Sequence, residues 1–511
     1  MTLKNINVLV LLFFLIINTI KVDSEACCEK CCNDCFKKES EDINAEGSEN
    51  NEGEEISEKK SEKKSNNSSQ NNSFMGNNNQ YDNQKDNSSL LNNSKNNFFI
   101  ENNPDNNQNN FQNNFFIENN LNNNLNNNLL PQNNLQNNVF QNKRVTTGET
   151  LGLQNVGATC YMNATLQCLF HIKELSYYFL SWYFYYYKSY WWNPLLLYID
   201  FFKKKPLFAQ YMNLLCQVFY PEFNGNLNKD YAPQAFKDTI SALNPLFQGI
   251  QANDAKDLLH FILETIHLEI RQASQNPVDY TVDQRDQQAV LQNFRDTYIS
   301  QNNSKVCETC YAIQEDTYTC PICKTKTYNY QSYNLLYFFL KDVKNFVLQK
   351  KRQEDPNFDG TNYVLNLEDC FVYNEKPKYY DSFHCNSCGN DVNMKNQPVL
   401  YTVPTVLSIV LQRGKANQDF TEDFSFGTEL DIKKYIHDQP YKQYGKYYLI
   451  GMVVHSGEHG MLGHFIAYCR MDKKTDWYLY NDGLVDKVDN IEEKLNKNKP
   501  YILFYHYDND V

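Results

Sequence analysis

Positive charge is scarce in this sequence. The 511-residue chain has 48 Lys and Arg residues against 61 Asp and Glu residues, and its formal net charge is −13. Proteins that bind nucleic acid nonspecifically neutralise phosphates with Lys and Arg side chains, so this balance argues against that class of function. We therefore expect no nucleic acid among the partners, whereas an acidic chain suits a basic partner.

Long apolar runs are scarce as well, and the one exception lies at the N-terminus. Residues 8–17 read VLVLLFFLII, after Lys4 and before a stretch of small and polar residues. This run resembles a signal peptide and is short for a membrane span, so we predict that residues 1–25 are a signal-like or anchor segment. No other segment of the sequence is apolar enough to cross a membrane.

Apolar residues are also few between residues 46 and 145, where Asn is accompanied mainly by Gln, Ser, Glu and Lys. Such a segment has too little apolar surface to offset the chain entropy lost on folding, so we predict that it is disordered. From about residue 146 onward, Tyr, Phe, Leu, Ile and Val become frequent, and these last 360 or so residues are enough to bury a substantial core.

The 16 cysteines fall into two groups. Five lie between Cys27 and Cys35, in a segment 26–45 that is a candidate disulfide knot, metal site or lipidated patch. The other eleven lie in the core-forming region, six of them in C-x-x-C pairs and five alone. Close pairs with dispersed single cysteines are typical of a reduced compartment with zinc rather than of a secreted disulfide framework.

Two of the three pairs have the features of zinc knuckles, because a two-residue spacer lets one turn present two thiolates to a tetrahedral ion. TCPICK and HCNSCGN look most like such turns, and the second has a Gly after its last cysteine. The third pair, in VCETCYAIQ, is compatible with a helical turn and inward-facing cysteines. The alternative for these cysteines is that they are buried or free thiols without a metal. If one of the two knuckles does not bind zinc, Cys307 and Cys310 are the pair that would replace it. The predicted ligands of one structural zinc site are Cys320, Cys323, Cys385 and Cys388.

A lone cysteine, Cys160, lies at the start of a predicted helix in GLQNVGATCYMNATLQCLFHI. Gly152 and Gly157 before it permit close turns and close backbone approach. Apolar residues follow it at helical spacing, and Thr159 or a neighbour would cap the helix. Unpaired N–H groups and the helix dipole at this point favour thiolate and can hold an oxyanion, toward which Asn155 can turn an amide N–H. A small buried cysteine is the alternative, so the interpretation depends on a base elsewhere.

One of the nine histidines is placed to be that base. Three β-branched and aromatic runs between residues 447 and 480 predict adjacent antiparallel strands. His464 starts the second of them and Asn481 ends the third, so strand pairing can bring the two side chains together. The Asn side chain would then fix the orientation and tautomer of the imidazole. Taken alone, a histidine at a strand start is more often structural.

These motifs, in this order, resemble those of the ubiquitin-specific proteases, a family of papain-like cysteine deubiquitinases. GLQNVGATCYMNATLQ is similar to the family's Cys box, and VVHSGEHGMLGHFIAYCR with WYLYND is similar to its His box. QANDAKDLLHFILETIH resembles a third motif, normally Gln-Gln-Asp-Ala-x-Glu-Phe, and the two knuckles resemble the family's zinc ligands. Agreement by chance with several motifs in the same order has a very low probability. The resemblance covers residues 149–507, which we identify as the catalytic domain.

The resemblance implies an α+β fold, a papain-like hand of thumb, palm and fingers. We expect a helical thumb over about residues 149–300, a zinc-bearing β finger region over about residues 301–400, and a β palm in the C-terminal part. Cys160 and His464 would face each other across the cleft between thumb and palm. The aromatic run that starts at Ser176 is expected to be a buried helix of the thumb, with an exposed partner site as the alternative.

The resemblance also implies roles for single residues. Cys160 would be the nucleophile, His464 the general base, Asn481 the residue that orients it, and Asn155 an oxyanion-hole donor. Asp482 would assist the base or the oxyanion, and Asp254 with Asp257 would hold the basic C-terminal tail of ubiquitin. Three positions depart from the family pattern, and one of them is Gly414, which follows Arg413 where an aromatic residue is common. Asn253 replaces the usual Gln and Asp257 the usual Glu, and both shorten the reach of the side chain.

The resemblance therefore implies a thiol-dependent deubiquitinase that cleaves the isopeptide or peptide bond after the last Gly of ubiquitin through a Cys-His-Asn triad. Zinc would be structural and no catalytic cofactor is expected, and the partners would be ubiquitin and ubiquitinated proteins. The first alternative is a zinc-stabilised ubiquitin-binding module with weak or no activity, which the intact Cys160, His464 and Asn481 argue against. The second is a papain-like protease of a secretory compartment, which only the N-terminus suggests.

The N-terminal segment and the domain predict different compartments. In an exported protein, Asn163–Thr165 would be a glycosylation acceptor, and a glycan there is incompatible with a helix packed under the active site. We therefore expect a cytoplasmic or cytosol-facing domain rather than a secreted one. Membrane attachment through residues 1–25 is compatible with that location.

Overall fold

The computed structural model describes residues 149–508, except for 191–202, 222–228, 275–279, 414–421, 458–462 and 496–498. The signal-like segment 1–25, the cysteine cluster 26–45 and the Asn-rich region 46–145 lie outside the described residues, so these three remain predictions. Within the described part of the chain, no helix has the length and apolar character needed to cross a membrane.

The first half of the described chain is mainly helical. Its helices are α1 (Cys160–Phe170), α2 (Lys173–Tyr190), α3 (Pro206–Phe219), α4 (Gln234–Leu243), α5 (Ala255–Ile270), α6 (Gln287–Asn302) and α7 (Lys305–Cys310). Two short strands, β1 (Gly152–Leu153) and β2 (Asp230–Tyr231), pair in parallel beside them. In α5, the residues Leu258, Leu259, Ile262, Leu263 and Ile266 recur every three or four positions and are all buried, which is the apolar stripe of a helix that packs on a core.

The aromatic run that starts at Ser176 forms most of α2, as predicted for its described part. Phe179 and Leu180 are buried, while Tyr178 and Trp182 pack partly buried against the same core. The rings of Phe179 and Tyr211 lie 4.9 Å apart in an edge-on arrangement, which joins α2 to α3. The end of the run lies outside the described residues.

Two larger sheets follow. Their strands are β3 (Ala312–Thr319), β4 (Lys326–Tyr333), β5 (Leu336–Phe339), β7 (Lys378–Cys385), β8 (Asn390–Leu400), β9 (Val406–Gln412), β11 (Glu429–Asp431), β12 (Lys446–Ser456), β13 (His464–Cys469), β14 (Trp477–Asn481), β15 (Leu484–Val488) and β16 (Pro500–Tyr507). One sheet has the order β4–β3–β8–β7. The other has the order β15–β14–β13–β12–β16–β9–β5, and β11 pairs with β12. A further pair of short strands joins β6 (Leu365–Asn366) to β10 (Phe424–Ser425).

The larger sheet is covered on both faces. Along β16, Ile502 and Phe504 belong to the apolar cluster under the helices α1–α5, whereas Leu503 and Tyr505 belong to a second cluster on the opposite face. Successive side chains of a strand point to opposite faces, so a strand buried on both faces has a nearly continuous apolar sequence. This explains why YILFY and YYLIGMVV lack the polar alternation of a half-exposed strand.

The mixed α+β fold is confirmed, but the predicted finger region is wrong in its middle. Residues 336–374 do not extend the four-stranded sheet. They form β5 of the larger sheet and two helices that cover its second face, α8 (Leu340–Glu354) and α9 (Leu367–Asn374). The helix α8 buries Leu340, Val343 and Val347, and this helical spacing is the sequence signal that the prediction missed. A short last helix, α10 (Ile491–Leu495), precedes β16.

Candidate active site

Cys160 is the first residue of α1 and is only 7% exposed. The chain reaches it through a tight turn in which Gly157 has φ +118° and Ala158 has φ +44°. The side-chain oxygen of Asn155 holds this turn, because it accepts hydrogen bonds from the N–H of Gly157 at 3.3 Å and of Thr159 at 2.9 Å. The turn thereby fixes the start of the helix and the direction of the thiol.

Thr159 occupies the N-cap position, as predicted, but its hydroxyl does not cap the helix. The hydroxyl accepts instead from the N–H of Val156 at 3.0 Å, inside the preceding turn. The N–H groups of the first turn of α1 are therefore not capped by the Thr159 side chain. This is the arrangement that an oxyanion site at Cys160 requires.

Burial raises the pKa of the Cys160 thiol above its ordinary value. The backbone N–H groups of Phe465, Tyr161 and Cys160 act in the opposite direction, and the Asp482 carboxylate adds to the rise. The sequence predicted that the helix start favours thiolate. The N–H groups do act in that direction, but the prediction is wrong for the net pKa of Cys160, which is raised. Removal of water from around the sulfur raises the pKa of Cys160 more than these N–H dipoles lower it.

The raised pKa predicts how the free protein reacts with iodoacetamide. Because the thiolate is the nucleophile, the alkylation rate constant of Cys160 is expected to rise about tenfold per pH unit between pH 7 and 9. Quantifying the alkylated Cys160 peptide by mass spectrometry over time separates it from the other cysteines. A rate that is already constant below pH 8 would contradict the raised pKa.

His464 begins β13, which lies between β12 and β14 in the sheet. Its Nε2 atom is 2.7 Å from Oδ1 of Asn481, so the strand pairing brings together the two side chains that the sequence singled out. An amide oxygen only accepts, so this contact assigns the proton to Nε2 and leaves Nδ1 with its lone pair. The helix α1 packs on β13, and the N–H of Phe465, next to His464, interacts with the Cys160 sulfur.

Asp482 connects the Cys160 segment to the His464 segment. Its carboxylate accepts from Nδ2 of Asn155 at 3.0 Å and from Nδ2 of Asn163 at 2.8 Å, and it lies 3.8 Å from Nε2 of His464. Its backbone oxygen accepts from the N–H of Leu153 at 2.9 Å. The φ of +49° at Asp482 belongs to a two-residue turn between β14 and β15, and Asp tolerates this conformation better than most residues.

Asn163 is a residue of this site that the sequence interpretation missed. It lies on α1, is buried, and also donates from Nδ2 to the backbone oxygen of Leu153 at 3.0 Å. It therefore fastens both the segment before Cys160 and the Asp482 turn to one helix. A polar residue on a helix that is buried along its whole length was the available signal, because such a residue needs hydrogen-bond partners.

Gly152 marks a close contact between the two halves of the site. A Cβ atom at this position would lie 2.3 Å from the backbone oxygen of Gly483, in the turn that also contains Asp482. Only glycine permits this approach of two backbones. The prediction of close backbone approach at Gly152 is thus confirmed.

The two acidic residues predicted to bind the substrate tail lie at the start of α5. Asp254 is the N-cap and accepts from the N–H of Lys256 at 3.0 Å, and the Tyr501 hydroxyl donates to both of its oxygens at 2.8 Å. The rings of Tyr501 and Phe465 are 5.8 Å apart. The Asp254 carboxylate is therefore linked to the start of β13, where His464 lies. Asp257 follows in the first turn of α5.

The predicted zinc ligands converge in the four-stranded sheet, two at the β3–β4 turn and two at the β7–β8 turn. The sulfur atoms of Cys320, Cys323, Cys385 and Cys388 all lie within 4.8 Å of one another. The sulfurs of Cys320 and Cys388 are 3.9 Å apart, and those of Cys323 and Cys385 are 3.7 Å apart. Zn–S bonds of about 2.3 Å in a tetrahedron give S–S edges of about 3.8 Å, so these thiols could hold zinc.

In each knuckle, hydrogen-bond donors lie beside the second cysteine, which is Cys323 in one knuckle and Cys388 in the other. The Thr325 hydroxyl and N–H lower the pKa of Cys323 to about 6, and Asn390 lowers the pKa of Cys388. Metal ligation requires the thiolate, so these donors suit the role. By contrast, Cys307 and Cys310 are buried in α7, as the helical alternative for this pair predicted.

The two knuckles share a backbone feature, a residue with positive φ directly after the second cysteine. It is Gly389 with φ +69° in one knuckle and Lys324 with φ +60° in the other. We expect Lys324→Gly to raise the free energy of unfolding by about 0.5–1 kcal/mol, because it removes left-handed strain. Denaturant unfolding measures this change.

Gly389→Ala is the opposite variant and is expected to lower that free energy by about 1 kcal/mol. A Cβ atom at Gly389 meets no atom within 4 Å, so the backbone conformation alone determines the effect. Equal stabilities for both variants and the wild type would contradict the assigned conformations.

Comparisons with known proteins agree with this architecture. Ubiquitin carboxyl-terminal hydrolase 4 of Saccharomyces cerevisiae is 23% identical over 390 residues, which are 70% of this chain and 39% of that protein. Ubiquitin carboxyl-terminal hydrolase 2 of Homo sapiens is 22% identical over 365 residues, 69% of this chain and 54% of that protein. Ubiquitin carboxyl-terminal hydrolase 5 of Arabidopsis thaliana is 29% identical over 182 residues, 35% of this chain and 18% of that protein. The chain thus spans about half or less of the length of these relatives.

Among solved structures, the SAGA DUB module bound to monoubiquitin matches with a TM-score of 0.50 at 20% identity, over 71% of this chain and 70% of that chain. This likeness supports the fold. The sequence model described as Ubiquitin carboxyl-terminal hydrolase matches residues 151–505, which include every residue of the site above. The chain therefore belongs to the ubiquitin carboxyl-terminal hydrolase family, a family of cysteine-type ubiquitinyl hydrolases, as the resemblance of its motifs predicted.

Proposed function

We propose that this protein is a thiol-dependent deubiquitinase that hydrolyses the isopeptide or peptide bond after the C-terminal Gly of ubiquitin. The observation that carries the proposal is the juxtaposition of α1 and β13 in a chain of this family. Cys160 starts α1, its sulfur interacts with the N–H of Phe465, and the adjacent His464 is held by Asn481. A solved relative in fold is bound to monoubiquitin, which supports ubiquitin as the partner.

The chemistry begins with proton transfer. Nδ1 of His464 takes the proton of the Cys160 thiol as the sulfur attacks the carbonyl carbon of the last Gly, and the carbonyl oxygen becomes an oxyanion. The N–H of Cys160 and Nδ2 of Asn155 are the donors proposed to stabilise that oxyanion. The imidazolium then gives its proton to the leaving lysine amine, and a thioester remains.

Hydrolysis of the thioester reverses the roles. His464 removes a proton from water, the hydroxide attacks the thioester carbonyl, and the Cys160 sulfur leaves and recovers a proton. Asn481 keeps the Nε2 proton in place through both steps, so Nδ1 remains the acting atom. We assign Asp482 a supporting role, because its carboxylate holds Asn155 and lies near Nε2 of His464.

Zinc has a structural part in this proposal. Cys320, Cys323, Cys385 and Cys388 are the residues that would hold it, and four thiolates leave no coordination position for substrate or water. The ion would join the β3–β4 turn to the β7–β8 turn. Only residues of the Cys160 site act on the substrate.

We also propose that the catalytic domain comprises residues 149–507 and faces the cytosol. The buried amide of Asn163 supports this location, because its Nδ2 donates to Leu153, Gln154 and Asp482 and is unable to carry a glycan in the folded protein. Protease protection of a C-terminally tagged protein in intact vesicles tests it. A protected, lumenal tag would contradict it.

A ubiquitin-binding module with little activity is the second candidate function. The raised pKa of Cys160 favours it, because a thiol that stays protonated at neutral pH attacks slowly unless the substrate improves its contact with His464. The two candidates bind the same partner, so turnover rather than binding distinguishes them.

The test is hydrolysis of ubiquitin whose C-terminus carries a fluorogenic amide, with the full-length protein as enzyme. We expect release of the fluorophore over many turnovers, and no release from a short peptide amide that lacks folded ubiquitin. Binding of ubiquitin without turnover would favour the second candidate. Neither turnover nor binding by folded protein would contradict both.

A further inference from the structure

A lysine lies between the two carboxylates assigned to the substrate tail. Nζ of Lys256 is 2.9 Å from Oδ2 of Asp254 and 2.9 Å from Oδ1 of Asp257, so one ammonium group bridges both. We propose that Lys256 is an internal competitor for the cationic tail of the substrate, and that its ammonium must leave the acidic pair before the tail binds. This inference rests on the proposed function, and it makes Lys256 a residue that sets substrate affinity.

The acidic pair keeps its position without the lysine charge. The Tyr501 hydroxyl donates to both oxygens of Asp254 at 2.8 Å, and the backbone N–H of Lys256 donates to Oδ1 at 3.0 Å whatever side chain residue 256 carries. Asp257 lies in the first turn of α5, where the helix dipole favours an anion. Removal of the ammonium therefore leaves two ordered carboxylates ready for another cation.

The lysine itself can move away. Its side chain is 18% exposed, and the partner carboxylates of Asp254 and Asp257 are 35% and 46% exposed, so the pair opens toward solvent. Burial lowers the pKa of Lys256, but attraction to Asp254 and Asp257 outweighs it and the net pKa is raised. The side chain is thus a charged group on a flexible four-carbon stem, which can exchange one partner for another at small cost.

The position of the bridge fits an effect on binding rather than on chemistry. Asn253, just before the N-cap, lies 3.4 Å from the Tyr161 hydroxyl, and Tyr501 joins Asp254 to the ring of Phe465. These contacts place the acidic pair beside the segments of Cys160 and His464. Lys256 contributes its charge to the pair and takes no part in proton transfer, so its removal is expected to change KM and leave kcat close to the wild-type value.

The experiment compares Lys256→Gln with the wild type in hydrolysis of ubiquitin carrying a C-terminal fluorogenic amide. We expect KM to fall about 2- to 5-fold at low ionic strength, the upper part of the range for one charged contact that is partly exposed. The difference should shrink in about 0.5 M salt, because salt screens partly exposed charges. Lys256→Arg is expected to raise KM about 2- to 3-fold, since a guanidinium group can hold two carboxylates through several N–H donors.

Lys434→Gln is the matched control, because it removes the same charge from an exposed ion pair with Glu368 on another element. It is expected to leave KM unchanged. An unchanged or higher KM in folded Lys256→Gln would overturn the inference. If wild-type protein binds ubiquitin without turnover, the proposed hydrolysis fails, and the dissociation constant replaces KM in the same comparison. A lower dissociation constant for Lys256→Gln would support the inference, and an equal or higher one would overturn it.

Discussion

Cys160→Ala is expected to abolish the hydrolysis of ubiquitin amides, and His464→Ala is expected to lower kcat/KM by about 10⁴-fold or more. Without the sulfur there is no atom to form the thioester, and without the imidazole the buried, protonated thiol has no base. Steady-state kinetics with matched protein concentrations measures both losses. Asn481→Ala is expected to lose about 10- to 100-fold, because the base remains but its tautomer is no longer held.

Matched variants separate these losses from misfolding. Cys168→Ala removes another buried thiol from α1, and His260→Ala removes an exposed histidine that pairs with Glu264 on α5. Both are expected to retain most of the activity. If Cys160→Ala turned over substrate at even one hundredth of the wild-type rate, another residue would have to be the nucleophile. The same retained activity in His464→Ala would remove His464 as the base.

Loss of one predicted zinc ligand is expected to have the second-largest effect. Cys385→Ser should reduce bound zinc from one equivalent to near zero and lower the melting temperature by about 5–10 °C, because the alcohol is a poor ligand and zinc binding stabilises small domains strongly. Few other contacts stabilise the end of the four-stranded sheet that carries these cysteines. The apolar cluster around Cys320 and Cys385 contains only Val392 and Met394 as further buried members among the described residues.

Cys307→Ser is the control for this prediction, since Cys307 belongs to the C-x-x-C pair buried in α7. It should keep one equivalent of zinc. Metal content by atomic emission and melting by calorimetry give the two readouts. Wild-type protein purified without zinc, or Cys385→Ser that keeps it, would contradict the assignment of the four ligands.

Much of the site was predictable from sequence because its chemistry depends on short motifs. The lone Cys160 after a Gly-containing turn predicted a helix start, and the β-rich runs around His464 and Asn481 predicted the strand pairing that joins them. The residues that flank the three C-x-x-C pairs likewise predicted which two pairs converge. In each case, the local geometry of the chain determines which groups these side chains contact.

The features that sequence did not yield depend on burial or on distant contacts. The helices α8 and α9 carry a helical spacing inside a segment expected to be β-rich. Asn163 gains its importance from Asp482, 319 positions along the chain. The net pKa of Cys160 follows from how completely helix and sheet exclude water from the sulfur. Lys256 occupies the position that its motif leaves unspecified, and its effect follows from an ammonium group that reaches both carboxylates.

The proposed reaction depends above all on Cys160 as the nucleophile of a ubiquitin-binding cleft. Its most direct test is reaction of the full-length protein with ubiquitin that carries a C-terminal electrophile, followed by intact mass and peptide mapping. We expect one ubiquitin added per chain, attached to Cys160, and no addition to Cys160→Ala. No adduct on folded, zinc-loaded wild type, or an adduct on any other cysteine, would contradict it.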